Sequence, residues 1–192
     1  MKYMLKYSFA PLLLVLLFSA CRKEPNYPDT PEIEFRRVDQ YTYPTNNVLH
    51  DSLVIVLGYK DGDGDLGLNR LQKDDPDSNP PYNSGSPYEY NFFASLQIKK
   101  GDQYVPLALS NNLLNLNGRF QRLTSDSRAE ALEGEIKYSL VNFDRAIFDF
   151  FDPTLFSPTD TIRFEIYIYD RALHKSNVVV TDDLVLFTGR PK

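Results

Sequence analysis

Cysteine, histidine and tryptophan are almost missing from this chain. Of 192 residues one is Cys, two are His and none is Trp. A single thiol excludes an internal disulfide framework and a multi-thiolate metal site. Two histidines, His50 and His174, exclude a histidine-rich one. Without Trp the chain lacks the largest aromatic surface on which a sugar ring could stack. Lys+Arg total 21 against 26 Asp+Glu, and no basic run exceeds two residues, so no nucleic-acid partner is expected. There is no G-x-S-x-G, H-E-x-x-H or phosphate-binding glycine loop. Nucleophilic catalysis needs a nucleophile, a base and an orienting group, and the chain reads as a non-enzyme. Paired carboxylates of the glycosidase kind are not excluded by composition, since acids are plentiful. What is present suits one globular domain: 42% hydrophobic and 24% charged residues, with 13 Tyr and 13 Phe.

The N-terminus reads as an address. Lys2 and Lys6 precede an apolar run from Phe9 to Phe18, and no acid occurs before Glu24. That run is half of the roughly 20 residues a membrane span requires. Ser19 and Ala20 then supply a small-residue cleavage site, so residues 1–20 are a signal peptide. The only cysteine, Cys21, follows at once. The stretch Leu17-Phe18-Ser19-Ala20-Cys21 resembles the bacterial lipobox, although Phe18 stands where Leu is commoner. Its Cys becomes the lipidated first residue, and several acyl chains anchor far more firmly than one. Arg22 rather than Asp follows, which favours the outer membrane over retention at the inner one. Pro25, Pro28 and Pro31 lie three residues apart, the period of polyproline II, so 21–31 is expected to be an extended stalk.

Beyond it, seven segments have strand character: 33–38, 52–60, 91–99, 103–107, 135–141, 161–170 and 178–187. The segment from Ser52 to Tyr59 is apolar on both faces, as in a central strand. The segment 161–170 alternates cleanly, with Ile162, Phe164, Ile166 and Ile168 on one face and Arg163, Glu165, Tyr167 and Tyr169 on the other. Lys100-Gly101-Asp102 reads as a hairpin turn, and Pro106 confines 103–107 to an edge. Helical signal is weak: 127–132 and 144–150 hold a turn or two at most. Short strands without intervening helices predict an all-β fold, an antiparallel β-sandwich of about seven strands over residues 32–188. Its order fits an immunoglobulin or fibronectin type III-like sandwich, with a short barrel as the alternative.

Two motifs punctuate these strands: Lys60-Asp61-Gly62-Asp63-Gly64-Asp65-Leu66-Gly67, and Asp170-Arg171-Ala172-Leu173-His174-Lys175-Ser176-Asn177. Together with the lipobox they resemble a group of Bacteroidota-type outer-membrane lipoproteins that carry an Ig-like domain. The resemblance implies a fold and a location, and no activity. The second motif is also similar to a turn of bacterial Ig-like and cadherin-like domains, from which His174 departs.

The segment 61–89 is long for a loop. It holds seven acids (Asp61, Asp63, Asp65, Asp74, Asp75, Asp77 and Glu89) against Arg70 and Lys73. It is either a binding loop at the tip of the sandwich or a solvated insertion. In this topology it emerges beside the loop that follows residue 170. Asp61, Asp63 and Asp65 would then approach Asp170, and carboxylates gathered without basic partners suit a hard cation such as Ca²⁺. The Asp61-x-Asp63-x-Asp65 spacing starts like an EF-hand but departs from it at Leu66 and Gln72. The aromatic residues Phe148, Phe150, Phe151 and Phe156 are expected to cover the core, and His50 to lie in a loop. The expected role is that of a membrane-anchored interaction module whose partner is another outer-membrane or surface protein. The alternative is a surface lipoprotein that captures glycan or another nutrient.

Overall fold

A computed structural model describes residues 25–107, 115–124, 129–140, 143–148 and 156–189. The signal peptide and Cys21 lie outside the described residues, as do Phe150, Phe151 and the side chain of Phe148. Two antiparallel sheets face each other. The first is built from β1 (Glu32–Thr45), β2 (Val48–Asp61) and β5 (Leu132–Ser139), in the order β1-β2-β5. The short β6 (Phe143–Asp144) pairs with β2 farther along the edge that β5 occupies. The second sheet has the order β4 (Gln103–Pro106), β3 (Phe92–Lys100), β7 (Thr161–Ile168), β8 (Val179–Val180), and β9 (Leu184–Val185) also pairs with β7. This order is that of an immunoglobulin-like sandwich. A 3₁₀ turn at Pro76–Ser78 and one helical turn at Arg145–Phe148 are the helical elements among the described residues. Of the helical turns expected, 144–150 contains the second of these. In 127–132 the last residue already belongs to β5.

The period-2 pattern sets the core. Ile162, Phe164, Ile166 and Ile168 of β7 are fully buried. They face Leu53, Ile55 and Leu57 of β2, which are equally buried, within one apolar cluster that includes Phe92, Ile136 and Phe156. The Phe92 and Tyr138 rings stack at 3.8 Å between centroids. The 178–187 segment is split at Thr181-Asp182-Asp183, because Thr181 leaves the ladder and its hydroxyl accepts from Phe164 N at 3.0 Å.

The first two strands are much longer than 33–38 and 52–60. They form a hairpin of 14 residues on each side, closed by Asn46 and Asn47 at φ of 50° and 63°. Left-handed residues at both central positions give the turn whose twist matches its strands, and Asn tolerates that conformation. A bulge between Phe35 and Arg37 changes the parity of β1. Ile33 and Phe35 face the core before it, and Val38, Gln40 and Thr42 after it. Gln40 and Thr42 meet a fully buried carboxylate, Asp51, which also accepts from Phe187 N at 2.6 Å. His50 is therefore a strand residue, stacked on Tyr43 at 5.6 Å, and not a loop histidine. This polar knot pins the C-terminal end to β1 at one pole. The acidic loop sits at the other.

Candidate metal centre

Strand parity places two acids at the end of the core. Asp61 continues the inward row Leu53, Ile55, Leu57 to the last residue of β2. Asp170 continues the row of β7, two residues past Ile168. Asp61 is 0% exposed and Asp170 2%. Each strand thus finishes its apolar face with a carboxylate, and the loops that follow must deal with the buried charge.

They do so by meeting. Asp61 Oδ2 accepts from Asp65 N at 3.1 Å and curls the loop back on itself. Asp65 Oδ2 accepts from Ala172 N at 2.8 Å, and Arg171 N donates to Asp65 O at 3.4 Å, which joins this loop to the 170–175 turn. Gly64 and Gly67 hold φ of +71° and +97°, conformations a side chain would strain. Gly62 has another role. A Cβ there would lie 2.4 Å from Tyr27 O, because the N-terminal segment runs directly over it. Gly62 N donates to Pro28 O at 2.8 Å, Tyr27 Oη donates to Glu133 at 2.6 Å, and Pro31 is buried. Within the stalk span of 21–31, residues 27 to 31 are thus laid against the domain.

The geometry divides the four expected ligands. Asp61, Asp63 and Asp65 each offer an oxygen within 4.8 Å of the other two. The Oδ1 atoms of all three are buried and have no hydrogen-bond partner. Asp170 stands behind them with both oxygens taken. His174 N donates to Oδ1 at 2.7 Å, and His174 Nδ1 lies 2.9 Å from Oδ2. Asp170 lies outside the group of mutually close oxygens and in this conformation is a charge beside the trio.

Burial, and then the charges of Asp63, Asp65 and Asp170, push the Asp61 carboxyl up to about 7. Burial, Asp170 and Asp63 raise Asp65 to about 6, against the pull of Arg171. Asp170 is raised by burial and restrained by His174, whose own ring is raised chiefly by Asp170. Calcium takes 6–8 oxygens at about 2.3–2.6 Å, so two ligands of one ion are at most about 5 Å apart. The trio satisfies that limit. Its oxygen-only donor set suits a hard cation, which would supply the charge these three carboxylates lack.

The remainder of the loop is tied to the domain around Asp77, while residues 70–74 and 79–81 are exposed. Asp77 is 2% exposed and accepts from Asn69 N and from Arg122 Nε, both at 2.8 Å. Burial works against its ionised form, but the Arg122 bond prevails and holds Asp77 below the ordinary carboxylate range. Arg119 donates to the carbonyls of Asn69 at 2.9 Å and Asp77 at 2.8 Å, and also to those of Tyr82 and Glu89. The loop's missing cations come from the 115–124 segment. Its surplus of acids hinted at outside partners, but spacing could not say which residues they were.

No protein-family model, curated protein or solved structure matches the chain. Fold and site define a class, a β-sandwich of immunoglobulin-like strand order with an acidic trio, its Asp61 fully buried, at the loop pole. Among the described residues no helix is long and apolar enough to cross a membrane.

Proposed function

We propose that the chain is a lipid-anchored, non-catalytic interaction module, an accessory subunit of an outer-membrane complex, with its loop pole organised by a calcium ion. The observation that carries the calcium is the trio of buried, unpartnered oxygens on Asp61, Asp63 and Asp65. Carboxylates gathered this closely repel one another, and a cation between them relieves that repulsion. The anchor rests on the sequence, where the only thiol, Cys21, follows a cleavable leader. An affinity in the extracellular range, Kd about 0.1–1 mM, suits a constitutively loaded structural ion.

A glycan- or nutrient-capturing lipoprotein is the second reading. It is favoured by an aromatic group on the outer face of β3 and β7. Phe93 and Tyr167 stack at 5.0 Å, Tyr169 meets Phe93 edge-on at 5.7 Å, and Lys175 lies 3.7 Å over the Tyr167 ring. The Tyr167 ring is occupied by Phe93 and Lys175 and so offers a sugar little free face, and the interaction module is preferred. Affinity capture of the tagged lipoprotein from its own outer membrane in calcium tests the choice. A stoichiometric membrane-protein partner supports the module. Saturable glycan binding with no such partner supports the alternative.

A further inference from the structure

The residue that holds the N-terminal segment stands between two candidate ligands, in the order Asp61, Gly62, Asp63. Gly62 donates its N–H to Pro28 O, and its missing side chain lets Tyr27 and Pro28 approach within contact. Two further ties hold the same segment. Tyr27 Oη binds Glu133, and Lys60 Nζ lies 5.5 Å from the Tyr27 ring centroid. The acids alone would not make a site, but Asp61 is fully buried, its Oδ1 has no hydrogen-bond partner, and one of its oxygens lies within 4.8 Å of an oxygen of each of the other two.

We propose that calcium at this trio latches the N-terminal segment onto the domain and so sets how far the domain stands from its membrane. The proposal rests on the calcium reading and, for the membrane distance, on lipidation of Cys21. Without the ion, like charges buried side by side drive the 61–65 loop apart, and Gly62 leaves its position beneath Pro28. With the ion, the loop holds the conformation in which Gly62 receives the segment. Tyr27 lies six positions after Cys21 in the sequence. That length spans at most about 22 Å, at ~3.3–3.6 Å per residue. A latched segment therefore holds the loop pole within that distance of the lipid. Release adds the five residues from Tyr27 to the start of β1 at Glu32, up to about 16 Å at ~3.1 Å per residue. The occupant of this pole is the bilayer that carries the protein's own anchor, and the opposite pole, with the Asn46-Asn47 turn, points away.

Linkage makes the latch reciprocal: whatever calcium does for segment docking, docking does for calcium affinity. The test uses the full lipidated chain in detergent, with spin labels on Asn26→Cys and Glu135→Cys, both at exposed positions. Their distance distribution is measured in EDTA and in excess calcium, and calcium affinity is measured on the same samples. The expected result is a narrow distribution in calcium that broadens and lengthens in EDTA. In Gly62→Ala the new Cβ meets the Tyr27 and Pro28 backbone, while the residue itself needs no left-handed conformation. That variant should remain broad in calcium and bind the ion at least fivefold more weakly. Tyr27→Ala should shift both readouts in the same direction, less far. Calcium binding with the same distribution in both conditions overturns the latch and leaves the calcium reading standing. Absence of calcium binding in the parent overturns the calcium reading itself.

Discussion

Raising the pH should destabilise this protein when calcium is absent and not when it is present. Asp61 moves from an ordinary 3.8 to about 7 in the folded chain, and Asp65 from 3.8 to about 6. Between those limits the native state binds more protons than the unfolded state, so unfolding free energy falls as pH rises. Each pK unit is worth about 1.4 kcal/mol. For the fully buried Asp61 that is on the order of 4 kcal/mol across the window. Asp65 titrates with it, so the two contributions do not add. The depressed carboxylates, Asp77 and Asp183, give the opposite slope only as pH falls through their lowered folded values, which lie under 3.8. His174 is raised, so what it contributes is present below its unfolded value and is lost at higher pH, with the same sign as Asp61. From pH 5 to 7 about two of those pK units are crossed, roughly 2.7 kcal/mol, which in a domain of this size is a fall in Tm of about 5–11 °C. Calcium reverses the argument, because the ion binds the ionised trio and adds roughly 2.7 kcal/mol at 100 times its Kd. Thermal melts of the chain lacking residues 1–20, in EDTA and in calcium from pH 5 to 8, should diverge steadily. A metal-free Tm that is flat or rises between pH 5 and 7.5 would refute the reasoning.

Three shorter predictions accompany it. Phe164 is fully buried in the central strand of the second sheet, so Phe164→Ala should cost about 3–5 kcal/mol in denaturant unfolding, and a loss under about 1 kcal/mol would contradict the core assignment. Arg122→Ala leaves Asp77 buried without its guanidinium; because Arg122 is 33% exposed, the expected loss is about 2–3 kcal/mol, below the full figure for a buried pair, and removing both partners should recover part of it. Mass spectrometry of the native protein should find a chain that starts at a lipid-modified Cys21, and an uncut leader or an unmodified Cys21 would remove the anchor.

What the sequence made legible was the part governed by parity. Ile162 to Ile168 alternate without a polar interruption, and the same alternation carries Asp170 into the core's end, where it meets the loop that starts at Asp61. β1 ran past its readable end for a physical reason. A bulge switches its parity, and the inward residues beyond are Gln40 and Thr42, polar groups chosen by the buried Asp51 rather than by apolar contact. No local pattern announces a carboxylate ten residues down the partner strand. The pairing of Asp170 with His174 was within reach, being a contact across four residues inside one turn. The ties from Arg119 and Arg122 to the acidic loop were not, since they cross about 40 residues of chain and answer to tertiary packing alone.

The most direct test of the calcium centre is a calorimetric titration of calcium into the chain lacking residues 1–20, repeated with Asp63→Asn. That substitution removes a ligand charge from a half-buried position and leaves the neighbouring loop contacts of Asp61 and Asp65 in place. One saturable site with Kd about 0.1–1 mM is expected in the parent, with binding lost in Asp63→Asn while the variant still melts cooperatively in EDTA. A parent that takes up no calcium, or a variant that binds it as well as the parent does, would contradict the account.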